Sequence, residues 1–183
     1  MEKLDKTHLR RKIKNMRLML TEQERASASA DIFERLEKTA QFLMASRILM
    51  YHSLPDEVDT RAFLAKWAGI KQFFLPRVNG VNLDILPYDR TRLELGSFHI
   101  EEPTGDDLAN PDTMELIIVP AVAYDPKGNR LGRGKGYYDR LLSSSHAAKI
   151  GVAYEFQIVH GGIPCEEHDV PVDMVITEKN IYS

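Results

Sequence analysis

The sequence has almost no cysteine and no long apolar run, and each absence excludes a class of protein. The chain holds one cysteine, Cys165, in 183 residues, so it forms no internal disulfide and no thiolate metal cluster. No apolar run approaches the roughly 20 residues that cross a bilayer as a helix. The charged first residues lack the apolar core of a signal peptide. We therefore expect a cytoplasmic protein that does not bind membranes.

The sequence also lacks an excess of positive charge. Its formal net charge is −3, which argues against a general nucleic-acid binder, although residues 10–17 hold five cations and no acid. The hydrophobic content of 43% and the charged content of 28% are ordinary for a globular chain. A chain of this length favours one core over two. We expect residues 1–183 to form a single domain, and we expect a monomer.

Residues 128–140 carry the clearest functional signal, because glycines alternate there with cations. Gly132, Gly134 and Gly136 have no Cβ, so the backbone can reach positive φ and turn its N–H groups toward one anion. The balancing cations are Arg130, Arg133 and Lys135. The segment therefore predicts a phosphate cradle, with a flexible basic surface turn as the alternative.

Two better-known phosphate motifs do not fit this segment. A P-loop needs a glycine at the position of Asn129 and a Ser or Thr after Lys135. The dinucleotide fingerprint needs a third glycine where Tyr137 stands. Asp139 follows two residues later, where it is placed to hold a metal ion beside bound phosphates. A phosphate cradle in this segment would therefore be of another kind.

Short apolar runs alternate with amphipathic helical patterns along the chain, which is typical of an α/β fold. The predicted helices cover about residues 9–20, 21–45, 60–67 and 137–142, and the second begins with a capping box at residues 21–24. The predicted strands cover residues 47–51, 72–78, 81–86, 116–120, 149–153 and 174–177. We predict a single three-layer α/β domain with a mainly parallel, Rossmann-like sheet flanked by helices and a hairpin extension.

The connections between these elements suggest where a ligand binds. Asn79 and Gly80 predict the two-residue turn of the hairpin. Residues 88–112 lack clear periodicity, so we predict a long loop that lies over a ligand. The phosphate cradle falls between the strand at residues 116–120 and the helix at residues 137–142. Open α/β sheets bind ligands at such strand-to-helix crossings.

Residues 128–139, Gly-Asn-Arg-Leu-Gly-Arg-Gly-Lys-Gly-Tyr-Tyr-Asp, resemble the signature of the 5-formyltetrahydrofolate cyclo-ligases, also called 5,10-methenyltetrahydrofolate synthetases. The likeness covers nearly the whole chain. Its other matches are Lys6 and Arg10 in the first helix, Asp56-Glu57 after the first strand, Pro76-Arg77 after the second, and residues 168–173 before the last. The resemblance implies that ATP phosphorylates the formyl oxygen of 5-formyltetrahydrofolate, with Mg²⁺ as cofactor. Ring closure by N10 then gives 5,10-methenyltetrahydrofolate, with ADP and phosphate released.

The resemblance also implies four groups of site residues. Those implied for ATP are Lys6, Arg10, Arg130, Leu131, Gly132, Arg133, Gly134, Lys135, Gly136, Tyr137 and Tyr138. Those implied for the folate substrate are His52, Glu57, Phe98, Arg133, Gly134, Lys135, Gly136 and Tyr137. Those implied as catalytic are Arg133, Lys135 and Tyr137, and those implied for Mg²⁺ are Asp139 and Asp169. The ATP and folate groups overlap because the γ-phosphate and the formyl oxygen must meet in one place.

Some of these positions have particular chemistry in this sequence. Glu57 is expected to accept hydrogen bonds from the N–H groups of the pterin ring. His52 stands at a strand end where the family usually has an apolar residue. Phe98 stands where relatives place a tryptophan, so stacking is kept and the indole N–H donor is lost. Asp173 starts a strand, which makes it the weaker metal candidate beside Asp169.

Two other functions stay open from the residues alone. A nucleic-acid-binding module would use residues 10–17 and 130–140 as one basic surface with stacking tyrosines, and its binding would weaken with salt. A kinase-like phosphotransferase would use the same loop on another small acceptor, with Glu57 as its only obvious base. The resemblance favours small-molecule partners, 5-formyltetrahydrofolate and ATP, and no nucleic acid.

Overall fold

A computed structural model describes residues 5–96 and 99–183, in which helices and strands follow one another as an α/β chain. The helices are α1 (Lys6–Leu18), α2 (Glu22–Glu37), α3 (Ala40–Met44), α4 (Arg61–Trp67) and α5 (Tyr137–Leu142). The strands are β1 (Arg47–Leu49), β2 (Gln72–Asn79), β3 (Asn82–Pro87), β4 (Leu93–Leu95), β5 (Glu101–Pro103), β6 (Leu116–Val119), β7 (Ala123–Tyr124), β8 (Arg130–Leu131), β9 (Ala148–Val152), β10 (Met174–Ile176) and β11 (Ile181–Tyr182). No helix within the two described ranges is long and apolar enough to cross a membrane.

Seven strands form one sheet in the order β11-β10-β9-β6-β1-β2-β3. The central strands from β10 to β2 pair in parallel. The edge strands β3 and β11 pair antiparallel with β2 and β10. The predicted α/β fold, with a mainly parallel sheet and a hairpin extension, is therefore confirmed.

The sheet is buried on both faces, which explains why its central strands are unbroken apolar runs. Successive side chains of a strand point to opposite faces. In β1, Ile48 packs into the core that α2, α3 and α4 cover, whereas Leu49 packs into the core that α5 covers. Both side chains are fully buried. Helices therefore flank the sheet on both sides.

Helix α1 packs outside the main sheet, against the short hairpin that β7 and β8 form. Leu9 and Ile13 are buried in a third apolar cluster with Val122, Leu131 and Ile163. Because residues four apart lie on the same side of a helix, this contact fixes the rotation of α1. The start of the helix is thereby held beside residues 132–136, the glycine segment, which follow β8.

The predicted helix over residues 21–45 is divided in two in the structure. It starts as predicted, since the side chains of Thr21 and Glu24 each accept a hydrogen bond from the other's backbone N–H. Thr39 then caps a separate short helix, α3, by accepting a hydrogen bond from the backbone N–H of Phe42. The buried faces of both helices enter the same core, so apolar periodicity continues across the break.

Three connections and one edge strand differ from the sequence prediction. The turn between β2 and β3 is Gly80-Val81, because Asn79 pairs with Asn82, and Gly80 takes a φ of 63°. Residues 88–112 contain the antiparallel hairpin β4–β5. The chain after β6 forms the hairpin β7–β8 before it reaches the glycine segment. Strand β11 was not predicted. These strands have two or three residues each, which is too few for alternation to be visible in the sequence.

Candidate active site

A cavity of about 680 Å³ opens at the carboxyl ends of the parallel strands β1 and β6. The residues that line it after these strands are Tyr51, His52, Leu54, Glu57, Pro120 and Ala121. β2 lies beside β1 and β9 lies beside β6, so the order of the strands reverses between β1 and β6. Open α/β sheets bind their ligands at such a switch point.

The structure brings the predicted site residues together around this cavity. Those that line it are Lys6, Arg10, His52, Glu57, Asp169 and residues 130–139. They come from the start of α1, the loop after β1, the glycine segment and the loop before β10. Phe98 lies outside the described residues, so its contact with folate stays a prediction.

Two of the three alternating glycines have the backbone conformation that requires glycine. Gly134 has a φ of 96° and Gly136 has a φ of 71°, whereas Gly132 is not in the left-handed region. Gly136 is also the N-cap residue of α5. The glycine segment therefore bends sharply just before a helix, in the way that was predicted for a phosphate cradle.

Helix α1 connects the glycine segment to an acidic loop. The Nε of Arg10 donates a hydrogen bond to the carbonyl oxygen of Gly132 at 2.9 Å. One turn earlier, the Nζ of Lys6 lies 3.6 Å from Oδ2 of Asp169 and 3.7 Å from Oε1 of Glu166. The two residues predicted to contact nucleotide phosphates thus lie on the same side of α1, facing the cavity.

Asp139 is held by a buried cation. The guanidinium of Arg130 donates to Oδ1 of Asp139 at 2.6 Å, and the Arg130 side chain is only 5% exposed. The backbone N–H of Val170 donates to the same oxygen at 3.1 Å. These charge-assisted contacts fix the first turn of α5 against the loop before β10. Asp139 therefore lies close to the loop that carries Asp169.

Three side chains of that loop offer ligand atoms to a metal ion. One atom each of Glu166, His168 and Asp169 lies within 4.8 Å of the others. The sequence analysis singled out only Asp169, although two acids and a histidine so near together in one loop were a visible signal. Asp173 does not belong to this group, and its Oδ2 accepts a hydrogen bond from the backbone N–H of Lys149 at 2.8 Å.

Acids from the loop after β1 orient Arg133. Oε1 of Glu57 lies 3.2 Å from the Arg133 guanidinium, and Oε2 accepts a hydrogen bond from the backbone N–H of Leu54 at 2.9 Å. Asp56 lies 3.9 Å from Arg133 and also pairs with Arg17 at 3.2 Å. Arg17 is buried, and sequence analysis missed it as a support of the site. Its position eight residues after Leu9, on the buried side of α1, was the signal.

His52 is an internal histidine rather than a surface one. Its side chain is 8% exposed, and Nδ1 lies 3.1 Å from Oε2 of Glu101. Burial lowers the pKa of His52, and the nearby Glu101 carboxylate only partly opposes this effect. The imidazole is therefore neutral at neutral pH, with its Nδ1 beside the Glu101 carboxylate.

Tyr137 and Tyr138, the first residues of α5, lie where this helix meets the β2–β3 hairpin. The hydroxyl of Tyr137 donates to the carbonyl oxygen of Gly80 at 3.4 Å, and the guanidinium of Arg140 lies 5.5 Å from the centre of the Tyr137 ring. Arg140 also donates to the carbonyl oxygen of Val81 at 2.8 Å. Burial raises the pKa of Tyr138, so its phenol stays protonated. The hairpin extension thereby forms one wall of the site.

The fold and the site together define a class of protein. A mainly parallel α/β sheet with a glycine segment, cations and acids around a cavity at its switch point is an arrangement typical of enzymes. A sequence profile of the 5-formyltetrahydrofolate cyclo-ligase family matches residues 2–178. The chain belongs to this family, as its sequence predicted, and it is a ligase.

Individual relatives match over nearly the whole chain. A probable 5-formyltetrahydrofolate cyclo-ligase of Caenorhabditis elegans is 30% identical over 191 residues, which cover 94% of this chain and 92% of the relative. The 5-formyltetrahydrofolate cyclo-ligase of Escherichia coli K12 is 29% identical over 180 residues, which cover 93% and 98%. The solved structure of 5,10-methenyltetrahydrofolate synthetase from Aquifex aeolicus superposes with a TM-score of 0.87 at 36% identity, covering 96% of this chain and 91% of that one.

Proposed function

We propose that the protein converts 5-formyltetrahydrofolate to 5,10-methenyltetrahydrofolate with ATP and Mg²⁺, and releases ADP and phosphate. The observation that carries this proposal is that the glycine segment, the cations of α1 and the acidic loop line one cavity. Its volume of about 680 Å³ lies within the range of small-molecule sites. The membership of the chain in the cyclo-ligase family supports the choice of substrates.

The reaction requires activation of the formyl oxygen. The formyl group on N5 is an amide, so its carbon is a weak electrophile and its oxygen leaves poorly. Transfer of the γ-phosphoryl group of ATP to that oxygen releases ADP. N10 then bonds to the formyl carbon, the carbon–oxygen bond breaks to release phosphate, and N10 gives up its proton. Each step conserves atoms and charge, and no oxidant or reductant is needed.

The protein accelerates this chemistry by charge and by position. Arg133, Lys135 and the backbone N–H groups of residues 134–136 neutralise charge on the transferring phosphoryl group. Lys6 and Arg10 bind the other phosphates of ATP from α1. Tyr137 lies next to Gly136 and holds the formyl end of the folate beside the γ-phosphate. Holding N10 against the activated carbon can itself contribute roughly 7–11 kcal/mol to the lowering of the barrier.

The acidic residues of the site fit a magnesium ion. Asp169 has other ligand atoms within 4.8 Å, and both contacts of Asp139 use Oδ1, so Asp139 would bind a metal through Oδ2. Carboxylate oxygens are the ligands that Mg²⁺ prefers. When bound, the ion supplies positive charge to the phosphate oxygens. Lys6 balances the charge of Asp169 from α1.

The contacts of the arginines favour an enzyme over a nucleic-acid surface. Arg10 is bonded to a backbone carbonyl, and Arg130 and Arg133 are bonded to carboxylates. All three line the cavity rather than an open basic face. Nucleic-acid binding by stacking and phosphate contacts would require exposed cations around exposed aromatic rings.

An oxygen isotope label in the formyl group tests the proposed chemistry. If the formyl oxygen attacks the γ-phosphoryl group, the label appears in the released phosphate, because the formyl carbon–oxygen bond breaks last. Label that is released as water while ATP is hydrolysed would contradict phosphorylation of the formyl oxygen. A reaction without folate serves as the control for plain ATP hydrolysis.

A further inference from the structure

Lys6 is paired with two acids that also offer ligand atoms to a metal ion. Its Nζ lies 3.6 Å from Oδ2 of Asp169 and 3.7 Å from Oε1 of Glu166. Both acids belong to the group of three residues whose ligand atoms lie within 4.8 Å of one another. Lys6 and all three members of that group line the cavity. One ammonium group therefore already balances the charge of the acids that a divalent cation would use.

The other oxygens of the two acids face His168, the third member of the group. Nε2 of His168 lies 3.2 Å from Oε2 of Glu166 and 3.7 Å from Oδ1 of Asp169. Each carboxylate thus has one oxygen toward Lys6 and the other toward the imidazole. A divalent cation at these acids would lie next to the Lys6 ammonium, and like charges repel more strongly beside a protein than in bulk water. Binding of the cation and the present position of Lys6 therefore oppose each other.

Phosphates bound at the glycine segment would offer Lys6 a second anionic partner. Lys6 lies one turn before Arg10, whose Nε donates a hydrogen bond to the carbonyl oxygen of Gly132 at 2.9 Å. The acidic loop and the glycine segment therefore flank the same side of α1. A lysine carries its charge on a flexible four-carbon stem, so the ammonium can move from one anion to another while the helix stays in place.

We propose that Lys6 is exchanged between these two partners, and that the exchange couples binding of the divalent cation to binding of the nucleotide. Without nucleotide, Lys6 neutralises Glu166 and Asp169 and keeps their affinity for a free cation low. When phosphates bind at the glycine segment, Lys6 pairs with them and leaves both acids to the cation. This inference rests on the proposed function, because ATP supplies the phosphates. Since such coupling is reciprocal, the bound cation also raises the affinity for the phosphates.

Binding of Mn²⁺ to the nucleotide-free protein tests the competition without any turnover. Electron paramagnetic resonance measures the unbound ion. We expect Lys6→Met to bind Mn²⁺ at least about tenfold more tightly than the wild type, because the competing ammonium is removed. Lys6→Arg keeps the positive charge and should bind Mn²⁺ no more tightly than the wild type. Lys14→Met, at an exposed lysine of α1, is the control for charge lost elsewhere on the helix and should stay within about twofold of the wild type.

The gain of Mn²⁺ affinity in Lys6→Met should depend on the acids that Lys6 contacts. In the double variant Lys6→Met/Asp169→Asn, we expect Mn²⁺ to bind no more tightly than to the wild type, because the carboxylate for which the two cations compete is lost. A Lys6→Met variant that binds Mn²⁺ only as tightly as the wild type would overturn the competition. A gain that persists in the double variant would overturn it as well, because the ion would then bind elsewhere.

Calorimetry with ATP and a metal chelator tests the transfer of Lys6 to the phosphates. We expect Asp169→Asn to bind metal-free ATP about fivefold or more tightly than the wild type, because Lys6 is released from the acid. Glu167→Gln, at an exposed acid outside the metal-capable group, should change this affinity by less than about twofold.

The gain of ATP affinity in Asp169→Asn should vanish in the Lys6→Met background, because the lysine that transfers is absent. A gain that persists there, or that Glu167→Gln reproduces, would overturn the transfer. A wild type that binds no ATP, with or without Mg²⁺, would instead overturn the proposed function and the transfer with it. The Mn²⁺ comparison needs no nucleotide, so it decides the competition between Lys6 and the cation separately.

Discussion

Lys135 is an exposed side chain of the glycine segment, so its replacement separates phosphate chemistry from folding. We expect Lys135→Ala to lower kcat/KM for ATP by about 100-fold or more, because a cation at the transferring phosphoryl group is lost. The thermal midpoint should hardly change, since the side chain is exposed. Lys127→Ala, an exposed lysine that does not line the cavity, is the control. Unchanged turnover in Lys135→Ala would contradict the phosphate cradle.

Asp169 is a proposed ligand of the Mg²⁺ ion that the proposed reaction requires. We expect Asp169→Asn to raise the Mg²⁺ concentration for half-maximal activity about tenfold or more, because a charged oxygen ligand becomes a neutral amide. Titration of Mg²⁺ at saturating ATP measures this shift. Glu167→Gln is the control, since Glu167 is exposed and does not belong to the metal-capable group. Equal Mg²⁺ curves for Asp169→Asn and the wild type would contradict the assignment.

His52 should make the stability of the fold depend on pH. Burial holds its pKa in the folded state below the ordinary value of 6.5, so the unfolded chain binds the proton more readily. This contribution to stability is present above about pH 6.5 and is lost as the pH falls through the lower, folded-state pKa. We expect His52→Gln to lose less stability than the wild type on acidification, measured by urea unfolding. A loss of stability in His52→Gln as steep as that of the wild type would contradict this role of His52. His146→Gln, at an exposed histidine, is the control.

At the scale of elements, the junction between the glycine segment and α5 depends on the glycine at the N-cap of that helix. Gly136 has a φ of 71°, and a Cβ there would lie 2.7 Å from a guanidinium nitrogen of Arg140. We expect Gly136→Ala to destabilise the protein by about 1–2 kcal/mol, because alanine is strained at this φ, and to reduce turnover, because the Arg140 side chain must move away. In Gly80→Ala, the alanine is strained at a φ of 63° but meets no close neighbour. In Gly69→Ala, the alanine is not strained and meets no close neighbour. A Gly136→Ala variant as stable as Gly69→Ala would contradict this expectation.

The elements that could be predicted from the sequence are those that carry a local signal, which is an unbroken apolar run, a helical period or a cap. The buried strands β1, β2 and β6, the capping box of α2 and the helix α5 all carry such local signals, and all were found. The division of residues 21–45 was missed because Thr39 caps a new helix without interrupting the apolar face. The short hairpins β4–β5 and β7–β8 were missed because two or three residues show no alternation.

At the scale of the whole molecule, the sequence identified the contiguous glycine segment that lines the cavity more easily than the distant residues that join it. The glycine segment is contiguous, so its residues lie together whatever the fold is. The role of Arg17 in supporting the loop after β1 depends on burial that only the packed α1 produces. Glu102 comes into the cavity because a hairpin within residues 88–112 packs on β2. Such contacts between distant segments follow from tertiary packing and leave no local pattern.

The family of the chain is known, and the central claim that remains to be tested is turnover of its proposed substrates. The most direct measurement is the absorbance of methenyltetrahydrofolate when the purified protein meets 5-formyltetrahydrofolate, with and without MgATP. We predict that product forms only when MgATP is present, with one ADP released per methenyl group formed. A folded protein that forms no product with MgATP, or that forms product equally well without it, would contradict the proposed function.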